Sequence, residues 1–233
     1  MPCTLPASLD DAAVCRGSFH AVLGGEAGEA VFADFSAALQ KAQAEGRILT
    51  ASLFRCEAHL FFYAEGLNRP FTPQGLCPAL DAALLPWPPA LGEAAPRPWA
   101  AMQPYFFHDI PTTAADWQQG RCPQRRRGRI ALLPPDSWCS YMEHHLRIVT
   151  EGLVEGDRWH LICVQEGVLF SYLEEPRTNV NIKHRPGAHS PELDAWIAAD
   201  PESHFARFTP EQKAHPDSGH NFVFLPRIAG TED

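Results

Sequence analysis

The chain has 233 residues, 45% hydrophobic and 20% charged, with 19 basic against 28 acidic side chains and a net charge of −9. Enough apolar residue is present to bury a core, which excludes a disordered polar coil, and the acidic balance argues against a nucleic-acid or anionic-membrane surface. No window approaches the ~18 uninterrupted apolar residues of a bilayer span, and the opening MPCTLPASLDDAAVCRG lacks the basic and apolar regions of a secretory signal.

In chain order, SFHAVL (18–23) reads as an opening strand. The stretch 30–45 carries Val31, Phe35, Ala38, Leu39 and Ala42 at helical spacing, and Gly46 ends it. ILTASLF and HLFFYAE then form a hairpin around Arg55-Cys56-Glu57-Ala58. A Pro-rich stretch and a short helix at 78–88 lead to a closing strand, PYFFHDIP (104–111). A polar connection follows and runs into Arg125, Arg126 and Arg127, which read as a solvated linker.

GRIALL (128–133) opens a second series. Asp136 or Ser137 is placed to cap a helix running to about Glu151, with Gly152 as its stop. LICVQ and VLFSYLE turn at Glu166-Gly167, and PELDAWIAADP (191–201) and HNFVFLPR (220–227) complete the order.

The two series are copies. Residues 51–65 align with 160–174 at an offset of 109, sharing Glu57/Glu166, Leu60/Leu169, Phe61/Phe170, Tyr63/Tyr172 and Glu65/Glu174. Residues 78–88 align with 191–201 at an offset of 113, again with five identities. Strand, helix, strand, strand, helix, strand is the ferredoxin-like order. A lone four-stranded sheet of this kind leaves one apolar face bare, and two sheets in one chain can cover each other. The expected fold is therefore α+β: two ferredoxin-like βαββαβ repeats forming a pseudo-dimeric α/β barrel. The first repeat spans 15–111, a linker 112–126, and the second repeat 127–228; two independent domains on a linker are the alternative. Such a chain of 25.8 kDa is expected to be a monomer, the pseudo-dimer being internal, or a weak homodimer.

The seven cysteines include no CxxC pair, and the closest two lie 12 positions apart. Reduced thiols in the cytoplasm are expected rather than a disulfide framework or zinc ribbon.

Histidine breaks the symmetry. Eight of the eleven lie in the second copy, against His20, His59 and His108 in the first. Only histidine has an unperturbed pKa that lets it exchange protons readily near neutral pH. On SWCSYMEHHLRIVTE, Trp138, Met142, His145, Leu146 and Val149 form an apolar stripe, and Tyr141 stands one turn before His145 at its edge. His144 is expected to face Glu143, Arg147 and solvent. A Tyr and a His turned toward the sheet call for a polar pocket, although a histidine bonded to a backbone carbonyl satisfies the pattern too. Arg129 stands on a strand where alternation can aim it at a ligand, and Trp196 offers an indole face to a sugar. With Tyr172 they make up the expected substrate-binding set. His184, His189 and His204 fit no standard metal spacing, and no P-loop or GxSxG elbow occurs, so neither metal nor cofactor is expected.

The run R-I-A-L-L-P-P-D-S-W-C-S-Y-M-E-H-H, the strand pair ending L-F-S-Y-L-E and the closing F-V-F-L-P together resemble the L-rhamnose mutarotases over roughly 127–227. In that family a Pro-Asp dipeptide opens the helix and a Tyr-x-x-x-His pair supplies the catalytic groups. Pro135-Asp136 and Tyr141/His145 match, while Val31 and Phe35 stand at the corresponding positions of the first copy. The resemblance implies a mutarotase acting on a rhamnose-like monosaccharide, with His145 as acid/base, Tyr141 as its partner and no cofactor. The alternatives are a non-catalytic sugar or metabolite binder, and a haem protein of the chlorite-dismutase kind, which shares the length and the duplication.

Overall fold

The repeat reappears in space as two sheets of matching strand order. In a computed structural model that describes residues 7–177, 183–184, 186–209 and 221–231, the first copy supplies β1 (Val14–Val22), α1 (Glu29–Ala44), β2 (Ile48–Cys56), β3 (His59–Leu67), α2 (Pro78–Ala82), β4 (Ala100–Ala101) and β5 (Gln103–Phe107). Then come α3 (Ala114–Gln118), β6 (Arg125–Leu132), α4 (Pro135–Glu151), β7 (Val154–Glu155), β8 (Leu161–Gln165) and β9 (Val168–Glu175). The chain continues through β10 (Lys183–His184), α5 (Pro191–Ala198), β11 (Val223–Leu225) and β12 (Arg227–Gly230). His215 and His220 lie outside the described residues. Among the described residues no helix is long and apolar enough to cross a membrane, and Cys15, Cys56, Cys77, Cys122, Cys139 and Cys163 are free thiols.

One five-stranded sheet has the order β12-β2-β3-β1-β4 and the other β11-β6-β9-β8-β5, all neighbours antiparallel. Without β12 and β5, each is the four-stranded sheet of one ferredoxin-like repeat, so the fold is α+β and built from two such units. The added strands are exchanged. β5, the closing strand expected for the first copy, pairs instead with β8, and the first sheet closes on the short β4. β12, from the end of the second copy, pairs with β2. The units are accordingly discontinuous in sequence: the chain to Met102 with Pro111–Pro123 and the residues from Pro226 on, and Gln103–Ile110 with Gln124–Leu225.

Both hairpins turn in two residues, with Glu57 at φ 54° and Glu166 at φ 50°. Both long helices stop at a glycine of φ 68°, Gly46 and Gly152, a left-handed conformation that only glycine adopts without strain. Counted back from that shared stop, Phe35 and Leu39 are the counterparts of Tyr141 and His145. This replaces the expected match to Val31 and Phe35. The inward residues agree: Phe35, Leu39 and Ala42 on α1 fall at the spacing of Tyr141, His145 and Ile148 on α4. Pro134 is the N-cap of α4 and contributes no side-chain bond, so Asp136 acts in the first turn, where a carboxylate complements the helix dipole.

In the first unit α1 and α2 cover one face of the sheet with Phe35, Leu39, Leu53, Phe62, Leu80 and Trp99. Phe62 meets Phe19, Phe35 and Trp99 with ring centroids 6.3, 5.7 and 6.1 Å apart. Burying each such side chain contributes about 1.5–3 kcal/mol.

On the opposite face lies the polar network behind the repeated Tyr-x-Glu. Tyr63 Oη donates to Glu65 Oε1 at 2.6 Å, Arg16 Nε donates to Tyr63 Oη at 3.0 Å, and Arg121 grips Glu65 with both Nη groups at 2.7 and 2.9 Å. Tyr172 Oη likewise donates to Glu174 Oε1 at 2.6 Å, and Arg126 Nε lies 3.7 Å from Glu174. Arg126 and Arg127 are buried in these pairings, Arg127 with Glu175 at 2.8 Å, so the arginine run is not a solvated linker. Nor is 112–126 a free connection: Thr113 caps α3, Trp117 is fully buried, and Arg121 pairs with Glu65.

Candidate functional site

The second unit puts α4 where the first puts α1, and a cavity of about 430 Å³ opens beside it. Arg129, Tyr141, His145 and Trp196 all line this cavity. Tyr172 does not: the pleat sends successive side chains to opposite faces, and Tyr172 lies on the Glu174 side of β9 with its hydroxyl already engaged.

The inward face of α4 is Tyr141, His145 and Ile148, while Trp138 is 42% and Leu146 62% exposed. The expected apolar stripe is therefore rotated, because aromatic polar residues and not the most hydrophobic ones face the sheet. His144 also departs from expectation. Its ring lies 5.4 Å from Trp196 and 6.4 Å from His204, and its Nδ1 is buried with no hydrogen-bond partner among the described residues.

His145 Nδ1 stands 2.9 Å from the Tyr141 carbonyl oxygen. A carbonyl only accepts, so Nδ1 carries the proton and Nε2 keeps its lone pair. Among the described residues Nε2 has no hydrogen-bond partner, which leaves it to the cavity. Four aromatic rings surround the imidazole: Tyr141 at 4.1 Å, Trp196 at 4.7 Å, Phe106 at 4.8 Å and Tyr105 at 5.7 Å between centroids. Burial among them pulls the His145 pKa down to about 4, against the opposing Tyr141 carbonyl bond. The imidazole is thus a neutral, oriented base at physiological pH.

Burial pushes the Tyr141 hydroxyl up to about 12, with Tyr105 and Arg129 acting the other way. It remains a protonated donor at neutral pH. The Tyr105 hydroxyl is buried without a full hydrogen bond, yet near enough to Tyr141 to influence its titration. Arg129, on β6 between β11 and β9, spreads its guanidinium over the Phe222 ring at 4.3 Å. Burial and then Arg177 lower its pKa to about 10, still well above neutral, so it is a cation.

The exchanged strand supplies residues that the sequence reading assigned elsewhere. A bulge between Pro104 and Phe106 lets both Tyr105 and Phe106 reach α4. His108 follows on the same segment, its pKa lowered to about 4 by burial, with Asp157 opposing and Arg177 adding. A Cβ on Gly156 would come within 1.9 Å of the His108 ring, so that position must be glycine for the ring to lie where it does. Asp157, fully buried, faces Arg177 at 3.4 Å. Glu202 and Phe205 complete another wall, and Asn221 Nδ2 donates to Glu202. His204 Nε2 is 3.2 Å from Ser140 Oγ, outside the cavity lining. Among the described residues no three His, Cys, Asp or Glu side chains gather as metal ligands.

The first unit has a hollow of its own, about 480 Å³, lined by Phe19, Arg97 and Trp99 among others, with no histidine, tyrosine or cysteine. Groups able to exchange protons near neutral pH are concentrated in the second unit.

No protein-family model and no curated protein matches the chain. Three solved structures resemble it in fold. A "putative monooxygenase" from Lactobacillus acidophilus NCFM is 6% identical, with 94% of this chain and 96% of that one covered at a TM-score of 0.40. A "putative monooxygenase" from Fusobacterium nucleatum is 11% identical, with 95% of each chain covered at 0.41. An anthrone oxidase-like protein is 8% identical, with 97% and 94% covered at 0.38. At such identities the likeness concerns fold alone.

Proposed function

We propose that the cavity of the second unit is an acid–base site that interconverts the anomers of a monosaccharide, with a rhamnose-like aldose as the first substrate to try. One observation carries the reading: His145 is held by the Tyr141 carbonyl with Nε2 unprotonated toward a cavity that the Tyr141 side chain also lines.

Opening a pyranose removes a proton from the anomeric hydroxyl and adds one to the ring oxygen as the bond between that oxygen and C1 breaks. Rotation about the bond to C1 and reclosure give the other anomer. His145 Nε2 takes the anomeric proton, and the Tyr141 carbonyl at Nδ1 steadies the imidazolium. The Tyr141 hydroxyl donates to the ring oxygen, and the charge left on it is offset by Arg129. Both protons return on reclosure, so electrons and covalent intermediates are not needed. Trp196 and Phe205 offer ring faces to the sugar's C–H surface.

Anomer exchange followed by saturation-transfer NMR on rhamnose and other aldoses tests this. The wild type is expected to exceed the buffer rate, and His145→Ala to lose about 10²–10⁴ of it, the usual contribution of a placed acid/base. A wild-type rate equal to buffer for every aldose, or an unchanged rate in His145→Ala, overturns the assignment.

A further inference from the structure

We infer that the molecule taken by this cavity is an anion: on the acid–base reading above, on which the sugar part of this inference rests, an aldose bearing a carboxylate that Arg129 receives.

Arg129 lines the cavity with Nε buried and, among the described residues, unbonded, and its guanidinium lies over the face of Phe222. Among the described residues no carboxylate, carbonyl or hydroxyl bonds its guanidinium. Of the other charges around the cavity, Asp157 pairs with Arg177, and Glu202 accepts a hydrogen bond from the neutral Asn221 amide. Glu202 contributes to the field at Arg129 but makes no ion pair with it. A buried donor without a partner is costly, and a guanidinium presents the planar fork that a carboxylate fits bidentately.

The fold does not demand the charge. Arg129 sits opposite Ser171 in the ladder, and the same register position in the first sheet is Phe19 opposite Phe62. An apolar residue therefore serves the identical place in the duplicate. Beyond its field at Tyr141, the guanidinium is placed for what enters the cavity, and a neutral deoxy sugar gives it nothing ionic to bind.

Calorimetry on the full chain with D-galacturonate, its neutral counterpart D-galactose, and benzoate, a carboxylate without a hemiacetal, tests the inference. Galacturonate is expected to bind at least tenfold more tightly than galactose, and Arg129→Met to lose about 10²-fold in galacturonate affinity, the scale of removing one partner of a desolvated charge pair. Arg129→Lys should restore part of it. Because an unmatched buried cation is removed, Arg129→Met should melt no lower than the wild type; a fall of several degrees would mark the guanidinium as structural and overturn the inference. Equal affinity for acid and neutral sugar overturns it, as does an acid preference that survives Arg129→Met. If both carboxylates bind through Arg129 but no sugar exchanges faster than in buffer, the anion site stands and the mutarotase reading falls. If exchange is accelerated without any preference for the acid, the reverse holds.

Discussion

The two units lay the same helix over the same sheet and differ in what stands between them. In the first, Phe19, Phe35, Leu39 and Phe62 occupy four positions in one apolar cluster, where Phe62 meets Phe19 and Phe35 and Trp99 stacks on Phe35. In the second those positions hold Arg129, Tyr141, His145 and Ser171, three of them partly or wholly desolvated polar groups beside a cavity. Each exchange of an apolar side chain for a polar one forfeits burial free energy of order 1 kcal/mol or more. The difference shows how one scaffold accommodates two linings: one copy has apolar packing where the other has polar side chains beside a cavity.

The contrast can be broken most forcefully through the networks on the opposite faces. Arg121→Ala leaves Glu65 buried without its ion-pair partner, held only by the Tyr63 hydroxyl and the more distant Arg16, and should cost the first unit about 3 kcal/mol or more in denaturant unfolding. Arg126→Ala should cost the second unit less, because its pair with Glu174 is longer at 3.7 Å. Equal losses would contradict the asymmetry. Glu65 also sets an acid limit. Burial alone would raise its pKa, but Arg121, Arg16 and the Tyr63 hydroxyl together hold it below the ordinary value. Its stabilisation is present above the unfolded pKa and lost as pH falls toward the lower folded one.

A matched pair of truncations separates packing from chemistry. Leu39→Ala should destabilise by about 2–5 kcal/mol and leave anomer exchange at the wild-type rate per folded molecule. His145→Ala should do the opposite, losing the exchange with a smaller shift in stability. If both variants lose activity and stability together, the two units are not divided in role as described.

Acid titration sharpens the same contrast with a smaller effect. The folded pKa of His145, about 4, lies below the ordinary 6.5, so the unfolded chain binds the proton first as pH falls. The stabilisation from this group is complete above about pH 6.5 and disappears toward pH 4, about 3 kcal/mol in all. His108 adds a dependence of the same sign. Unfolding measured across that window should lose much of its slope in His145→Leu, which installs the first unit's residue. The exchange rate at limiting substrate should be level through neutral pH and fall only as His145 protonates.

The smallest expected change is that of Tyr141→Phe, again a residue of the first unit. It should slow anomer exchange while shifting stability by about 1 kcal/mol or less, checked by NMR exchange and thermal unfolding on one preparation.

What sequence reading could recover follows from how local each signal is. The hairpins, the glycine stops and the Tyr-x-Glu identities are short-range, and they revealed the duplication and the α+β class. The pair Tyr141/His145 stood out because a turn of helix brings them together. The phase of the α4 stripe was misjudged, since hydropathy ranks Trp138 and Leu146 as inward when the inward face is lined with polar aromatics. Tyr172 was misplaced because its hydroxyl serves Glu174, a partner two residues away on the same face of the strand. Phe106, His108 and the Asp157–Arg177 pair were missed altogether. Phe106 and His108 enter the site because β5 pairs with β8, and nothing in a five-residue strand encodes which of two similar sheets it will join, while Asp157 and Arg177 meet across 20 residues of chain with no local signal.

That exchange has a consequence for synthesis. Residues 227–231 close the first sheet, with Arg227 bonded to Ser52 and Thr231 to Ala51. They leave the ribosome after every strand of the second sheet has emerged. The earlier-made unit therefore waits with an open edge at β2 while the later one is completed from β5, a strand already at hand. The β2 edge of the first sheet is thus the last to be paired, although the strand it belongs to is made early.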